Sequence, residues 1–122
     1  MASHWTLTVR NGPRVERVHF DTLTQTLDAL KHRLDELAPD AGRRAVQFAR
    51  RRYDPARQVA VRAELTGPGG PLSRSHGGVD LRGDGSAEAY TGRIKRRLVD
   101  LLPGETPYAA LRRALDPRAD GD

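Results

Sequence analysis

Arginine runs are the feature of this sequence best suited to chemistry: Arg43-Arg44, Arg50-Arg51-Arg52, Arg93 with Arg96-Arg97, and Arg112-Arg113. A guanidinium is planar, always charged, and forks onto two phosphate oxygens at once. Such clusters suit contact with a nucleic-acid backbone. On a helix, Arg93, Arg96 and Arg97 share one flank and Lys95 lies on the other. Asp100 follows Arg96 by four and Arg97 by three, so part of that flank neutralises itself. The chain has 19 arginines, two lysines and a formal net charge of +5, which favours a polyanionic partner such as RNA, DNA, the ribosome or an acidic protein surface. The competing explanation is coding bias, with arginine standing where another protein has lysine.

A second group is Gly83-Asp84-Gly85-Ser86. Glycines let backbone N–H groups approach a ligand, and a helix N-terminus favours anions. If a helix starts at Ser86, then Gly83, Gly85 and Ser86 form a candidate anion site, although Asp84 would repel a phosphate. This segment is neither a P-loop nor a dinucleotide fingerprint. Asp80, Asp84 and Glu88, four apart, have the oxygen ligands that Mg²⁺ takes. The opposing view puts Asp84 in a turn, pairs Asp80 with Arg82 or Arg62, and sets Glu88 in a first helical turn. His4, His19, His32 and His76 have no metal-ligand spacing. Ser73 and Ser75, beside His76, lie in no nucleophile elbow. There is no cysteine, so disulfides, thiolate zinc sites and thiol catalysis are excluded. No cofactor motif is present, and no catalytic residue is assigned.

The elements that must position these groups follow from periodicity. Trp5, Leu7 and Val9 alternate with threonines as in a half-buried strand. Asn11-Gly12 turns the chain, in a loop lengthened by Pro13, into a return strand over 14–20. Thr22 and Gln25 form a capping box for a helix striped by Leu23, Leu27, Leu30, Leu34 and Leu37. Pro39 and Gly42 end that helix. A third strand is expected over 44–50, with Val46 and Phe48 inward, and a fourth over 57–65. A fifth runs from Leu72 to Arg82, with a bulge at Gly77-Gly78 to switch its inward parity. Ser86 caps a second helix over 87–102, whose apolar face is Ala87, Tyr90, Ile94, Leu98 and Leu101. Thr106-Pro107 opens a short third helix with Tyr108, Leu111 and Leu115 inward.

These elements predict an α+β fold: a mostly antiparallel five-stranded sheet with helices on one face, in the order β-β-α-β-β-β-α-α. Residues 1–115 form one compact domain and 116–122 a polar tail. The N-terminus lacks the basic and apolar regions of a signal peptide, and no apolar run is long enough to span a bilayer, so a cytoplasmic protein without a membrane partner is expected. In layout alone, the second half is similar to the N-terminal domain of ribosome hibernation factors. Those begin strand-helix, whereas this chain begins with a hairpin.

Three readings of function follow. The first is a non-enzymatic basic module that contacts nucleic acid or ribonucleoprotein through Arg50, Arg51, Arg52, Arg93, Arg96 and Arg97. The second is a protein-interaction or homodimeric module using an outer sheet face flattened by Ala45, Ala49 and Ala60. The third is a small-anion or metal-dependent enzyme at the Gly83–Ser86 turn. Thr6, Thr8, Gln47, Ala60, Arg62 and Glu64 are expected outward on the sheet, and Trp5, Phe20 and Phe48 inward. Base stacking on that face is therefore not expected.

Overall fold

The computed structural model describes residues 4–49, 59–68, 75–92 and 95–116, with backbone alone over 40–49. The order is β1 (Trp5–Asn11), β2 (Arg14–Phe20), α1 (Leu23–Ala49), β3 (Val59–Thr66), β4 (His76–Arg82), β5 (Ala87–Thr91), β6 (Arg97–Leu98) and α2 (Pro107–Leu115). The fold is α+β. The six strands of the described residues form one antiparallel sheet in the order β2-β1-β3-β4-β5-β6. Both helices pack on one face. Leu27, Leu30, Leu34 and Leu37 of α1 and Leu111 and Leu115 of α2 bury against Leu7, Val9, Val61, Ala63, Leu65, Val79, Leu81 and Ala89. Trp5 and Phe20 pack against that core.

The local signals explain most of this. Thr22 Oγ1 accepts from Gln25 N at 3.1 Å, and Gln25 Oε1 accepts from Asp21 N at 3.2 Å, which secures the start of α1. Lys31 and Asp35 pair one turn apart at 2.8 Å. At the other end of the chain, Thr106 caps α2 by accepting from Ala109 N at 3.2 Å, and Pro107 takes the first turn, where its missing N–H costs nothing.

Two elements differ from the sequence expectation. Residues 44–49 are not a strand: α1 runs through Pro39 and Gly42 to Ala49. The alternation of Val46 and Phe48 is too short to tell a strand from a helix, and Arg43, Arg44, Ala45, Gln47 and Ala49 are helix formers or tolerate the helix well. Residues 87–92 and 95–102 are not helical. This stretch holds β5 and β6, so the sheet of the described residues has six strands rather than five. Ala87 and Ala89 face the helices, Glu88 and Tyr90 the other side, and Gly92 adopts φ 91°, which no right-handed helix contains. The basic helix behind the hibernation-factor likeness is thus absent.

Two smaller details also change. The β1–β2 turn has only two residues, Gly12 and Pro13, since Asn11 pairs with Arg14. Gly12 takes φ 60°, a sign that two-residue hairpin turns require. The bulge lies in β3 between Val59 and Val61, and pairing is regular through Gly77-Gly78.

Those glycines serve a different purpose. Gly78 stands opposite Tyr90, and a Cβ there would lie 2.3 Å from the Ala63 carbonyl and 2.6 Å from Tyr90 Oη. The bare backbone lets the Tyr90 ring lie down on the sheet. Gly78→Ala is therefore expected to cost about 1–3 kcal/mol through overpacking. A drop in the urea midpoint at unchanged slope would confirm this, and an unchanged midpoint would contradict it.

Candidate binding face

Among the described residues, both helices lie on one side of the sheet, and its other side is formed by its own side chains. Cross-strand register puts two rows there. One is Arg17, Thr8, Glu64, Gly78, Tyr90 and Leu98, and the next is Val15, Arg10, Arg62, Asp80 and Glu88. Thr8, Asp80 and Tyr90 are nonetheless buried, Tyr90 to 2% exposure. Guanidinium groups lie over Tyr90, and one of them pairs with Asp80. The Arg96 guanidinium stands 4.7 Å from the Tyr90 ring centre and that of Arg62 6.0 Å from it.

The charges form a lattice. Arg62 donates to Asp80 through Nε at 2.8 Å and Nη2 at 3.1 Å, a bidentate pair on directly opposed residues. Arg82 Nη2 donates to Glu88 at 3.1 Å. Arg10 and Arg96 share Glu64, at the looser distances of 3.8 and 3.5 Å. Arg17 has no carboxylate partner among the described residues. Arg10 also stands directly opposite Arg62, an unfavourable like-charge pairing that Glu64 and Asp80 relieve. Among the described residues, this face thus sets Arg10, Arg17, Arg62, Arg82 and Arg96 against Glu64, Asp80 and Glu88, with Asp100 beyond Leu98 at its edge.

At one end, Thr6 lies between His19 and Thr66, and Thr66 faces His76. Thr6 Oγ1 is 3.1 Å from His19 Nδ1, and Thr66 Oγ1 is 3.1 Å from His76 Nδ1. His4 meets His19 edge to face at 4.6 Å.

The sequence-predicted residues are distributed differently from expectation. Arg50, Arg51, Arg52 and Arg93 lie outside the described residues. Arg96 and Arg97 are consecutive on an extended segment, so they take opposite faces instead of sharing a helix flank. Arg43 and Arg44 belong to α1. Arg113 is held by Glu105, at 3.1 Å from Nε and 3.0 Å from Nη2, and also donates to the Asp100 carbonyl at 2.8 Å. Thr6, Thr8, Arg62 and Glu64 share the outer face as expected. Ala60 instead packs on the core, and Ala45, Gln47 and Ala49 belong to the helix. The alanine surface inferred for a sheet-face dimer is therefore not there.

Gly83, Gly85 and Ser86 make a hairpin turn between β4 and β5, without a helix N-terminus. Arg82 N donates to Ser86 O at 2.8 Å, and Gly85 N to Arg82 O at 3.0 Å. Ser86 N and Oγ both donate to Asp84 Oδ1, at 2.9 and 2.6 Å. The Ser86 donors an anion would need are thus turned onto Asp84, and the Gly85 N–H onto the Arg82 carbonyl. Asp80 and Glu88 are bound to arginines, and among the described residues no three His, Asp or Glu side chains come together as a metal set.

Arg10 and Arg17 escaped the sequence reading because neither belongs to a run. The usable signal was parity: each alternates with inward residues of its hairpin strand, so both had to face outward. Tyr90 was assigned to a helix core, but it is the floor of this face. Compared with protein-family models, curated proteins and solved structures, the chain matches none. Among the described residues, no helix is long and apolar enough to cross a membrane.

Two predictions follow. Tyr90 Oη is buried without a hydrogen-bond partner among the described residues, and burial pushes the phenol above its usual pKa. An unsatisfied buried hydroxyl costs about 1–3 kcal/mol, so Tyr90→Phe is expected to leave stability unchanged or raise it. Tyr90→Ala removes the support under Arg96 and is expected to cost about 3–5 kcal/mol, as for other large aromatic truncations. Chemical denaturation measures both, and a large loss in Tyr90→Phe would contradict the account.

The second prediction concerns pH. Glu16, Asp84 and Glu105 are held below the usual carboxylate range, chiefly by hydrogen bonds from Arg33, the Ser86 hydroxyl and Arg113 respectively. Folding lowers these pKa values, so the stability they contribute is present at neutral pH and is lost as pH falls through the lowered values. Melting temperature should drop most steeply below about pH 4, and Glu105→Gln should shallow that limb. An identical acid limb in Glu105→Gln would contradict the assignment.

Proposed function

We propose that this chain is a non-enzymatic binding module that receives a polyanion on the open sheet face. The partner is the phosphate backbone of RNA or DNA, alone or within a ribonucleoprotein such as the ribosome. The observation that carries this reading is the excess of arginine on that face. Arg17 has no carboxylate partner among the described residues, and Arg10 and Arg96 share the single carboxylate of Glu64 at long range. Placing Arg10 opposite Arg62 costs stability, and a bound phosphate would reverse that cost.

The width also suits the task. From β2 to β5 the face spans roughly 19 Å at ~4.8 Å per strand, which covers several phosphates of one nucleic-acid strand. Arg96 caps the Tyr90 ring, so that ring does not offer a stacking platform, and contact through phosphates should be indifferent to base sequence.

Binding to generic RNA and duplex DNA, titrated over salt, tests the reading. Affinity is expected to fall steeply with salt on both polymers. Arg17→Glu should weaken both and lower the log–log slope by about one. Arg112→Glu, on α2, should leave both unchanged. Absence of binding at low salt, or equal losses from the two variants, would overturn the proposal.

A further inference from the structure

β6 and the segment after it leave large apolar groups in water: Leu98 is 68% exposed, Leu101 51% and Leu102 53%. Val99 donates its N–H to Ala89 O at 2.9 Å and so faces β5. Backbone groups alternate in direction along an antiparallel strand, so the N–H and C=O of Leu98 point off the sheet edge. Charge is ordered along this edge. Lys95, Arg96 and Arg97 precede Leu98, and Asp100 follows it. Asp100 lies with Glu88 around a shallow cavity of about 180 Å³ that Ala87, Ala89 and Val99 also line. A strand that is basic before its centre and acidic after it is self-complementary when run antiparallel to itself.

We propose that a second copy of this chain docks on β6, antiparallel, about a two-fold axis at Leu98. An axis normal to the sheet sets residues of the same face opposite one another. Leu98 then meets Leu98 of the second copy, and the two exchange the backbone hydrogen bonds that each directs off its own edge. Arg96 of each copy stands opposite Asp100 of the other, and the basic start of each segment lies along the acidic rim of the other's cavity. The isologous pair buries both sets of exposed leucines and joins two six-stranded sheets into one. The other edge, β2, is unsuitable for the same operation, because a central two-fold axis there sets Glu16 or Arg17 against its own copy. The proposal rests on the edge and does not require polyanion binding, although Arg96 takes part in both.

Sedimentation equilibrium on the full chain, across a concentration series into the high micromolar range, tests this. The wild-type mass is expected to double as concentration rises. Leu98→Asp and Asp100→Arg should each keep the single-chain mass throughout that range, with unchanged circular dichroism. If Leu98→Asp does not fold, the exposed Asp100→Arg position carries the test. Arg17→Glu should still double in mass. A wild-type chain that stays single, or a folded Leu98→Asp or Asp100→Arg that still doubles, overturns the proposal.

Discussion

Two helices can cover one face of a six-stranded sheet, and in this molecule they do. The rest of the structure answers the question of what covers the other face. Flat aromatic or aliphatic cover would leave an aggregating surface. Instead, the guanidinium groups of Arg96 and Arg62 lie over Tyr90, and that of Arg62 also holds Asp80. Arg62 and Asp80 anchor the arrangement with two short hydrogen bonds between opposed strands. Gly78 carries no Cβ, and the space this leaves lets Tyr90 fit beneath Arg96. Partly exposed ion pairs contribute little to stability, about 0–1 kcal/mol each. The lattice matters more for fixing where the guanidinium heads stand than for holding the sheet together.

Stability comes mainly from the other side. The leucine stripe of α1 and the short apolar face of α2 bury against β1, β3, β4 and β5. The edge strand β2 is exposed along most of its length and is tied back by Arg33, whose Nε and Nη2 donate to Glu16 at 3.0 and 2.6 Å. This clamp keeps Arg17, on the opposite side of the same strand, in line with the outer face.

Much of the fold was legible in the sequence where local pattern and tertiary demand agree. The threonine-alternating strand at 5–9, the leucine stripe from Leu23 to Leu37, the strand at 57–65 and the Thr106-Pro107 helix start are such places. The reading failed where a pattern fits two periods. Ala87, Tyr90, Ile94, Leu98 and Leu101 match a helix stripe, but Ala87-Glu88-Ala89-Tyr90 equally alternates. Asp84-Gly85 and Gly92 were the arbiters, the first a hairpin signal and the second a residue awkward in mid-helix. The candidate face was harder to see. Runs such as Arg96-Arg97 draw attention, yet strand geometry splits that pair across two faces. Arg10 and Arg17 belong to one hairpin, but Arg96 is distant in sequence and joins Arg10 at Glu64 only through register.

The central claim is that the open sheet face, and not the helical side, meets phosphate. Side-chain Nε–Hε resonances of the arginines, followed by NMR during titration with a short single-stranded RNA at low salt, address it most directly. The account predicts that Arg10, Arg17 and Arg96 shift early and together, while Arg33, Arg112 and Arg113 stay still. Shifts concentrated on Arg112 and Arg113, or none at saturating RNA, would contradict it.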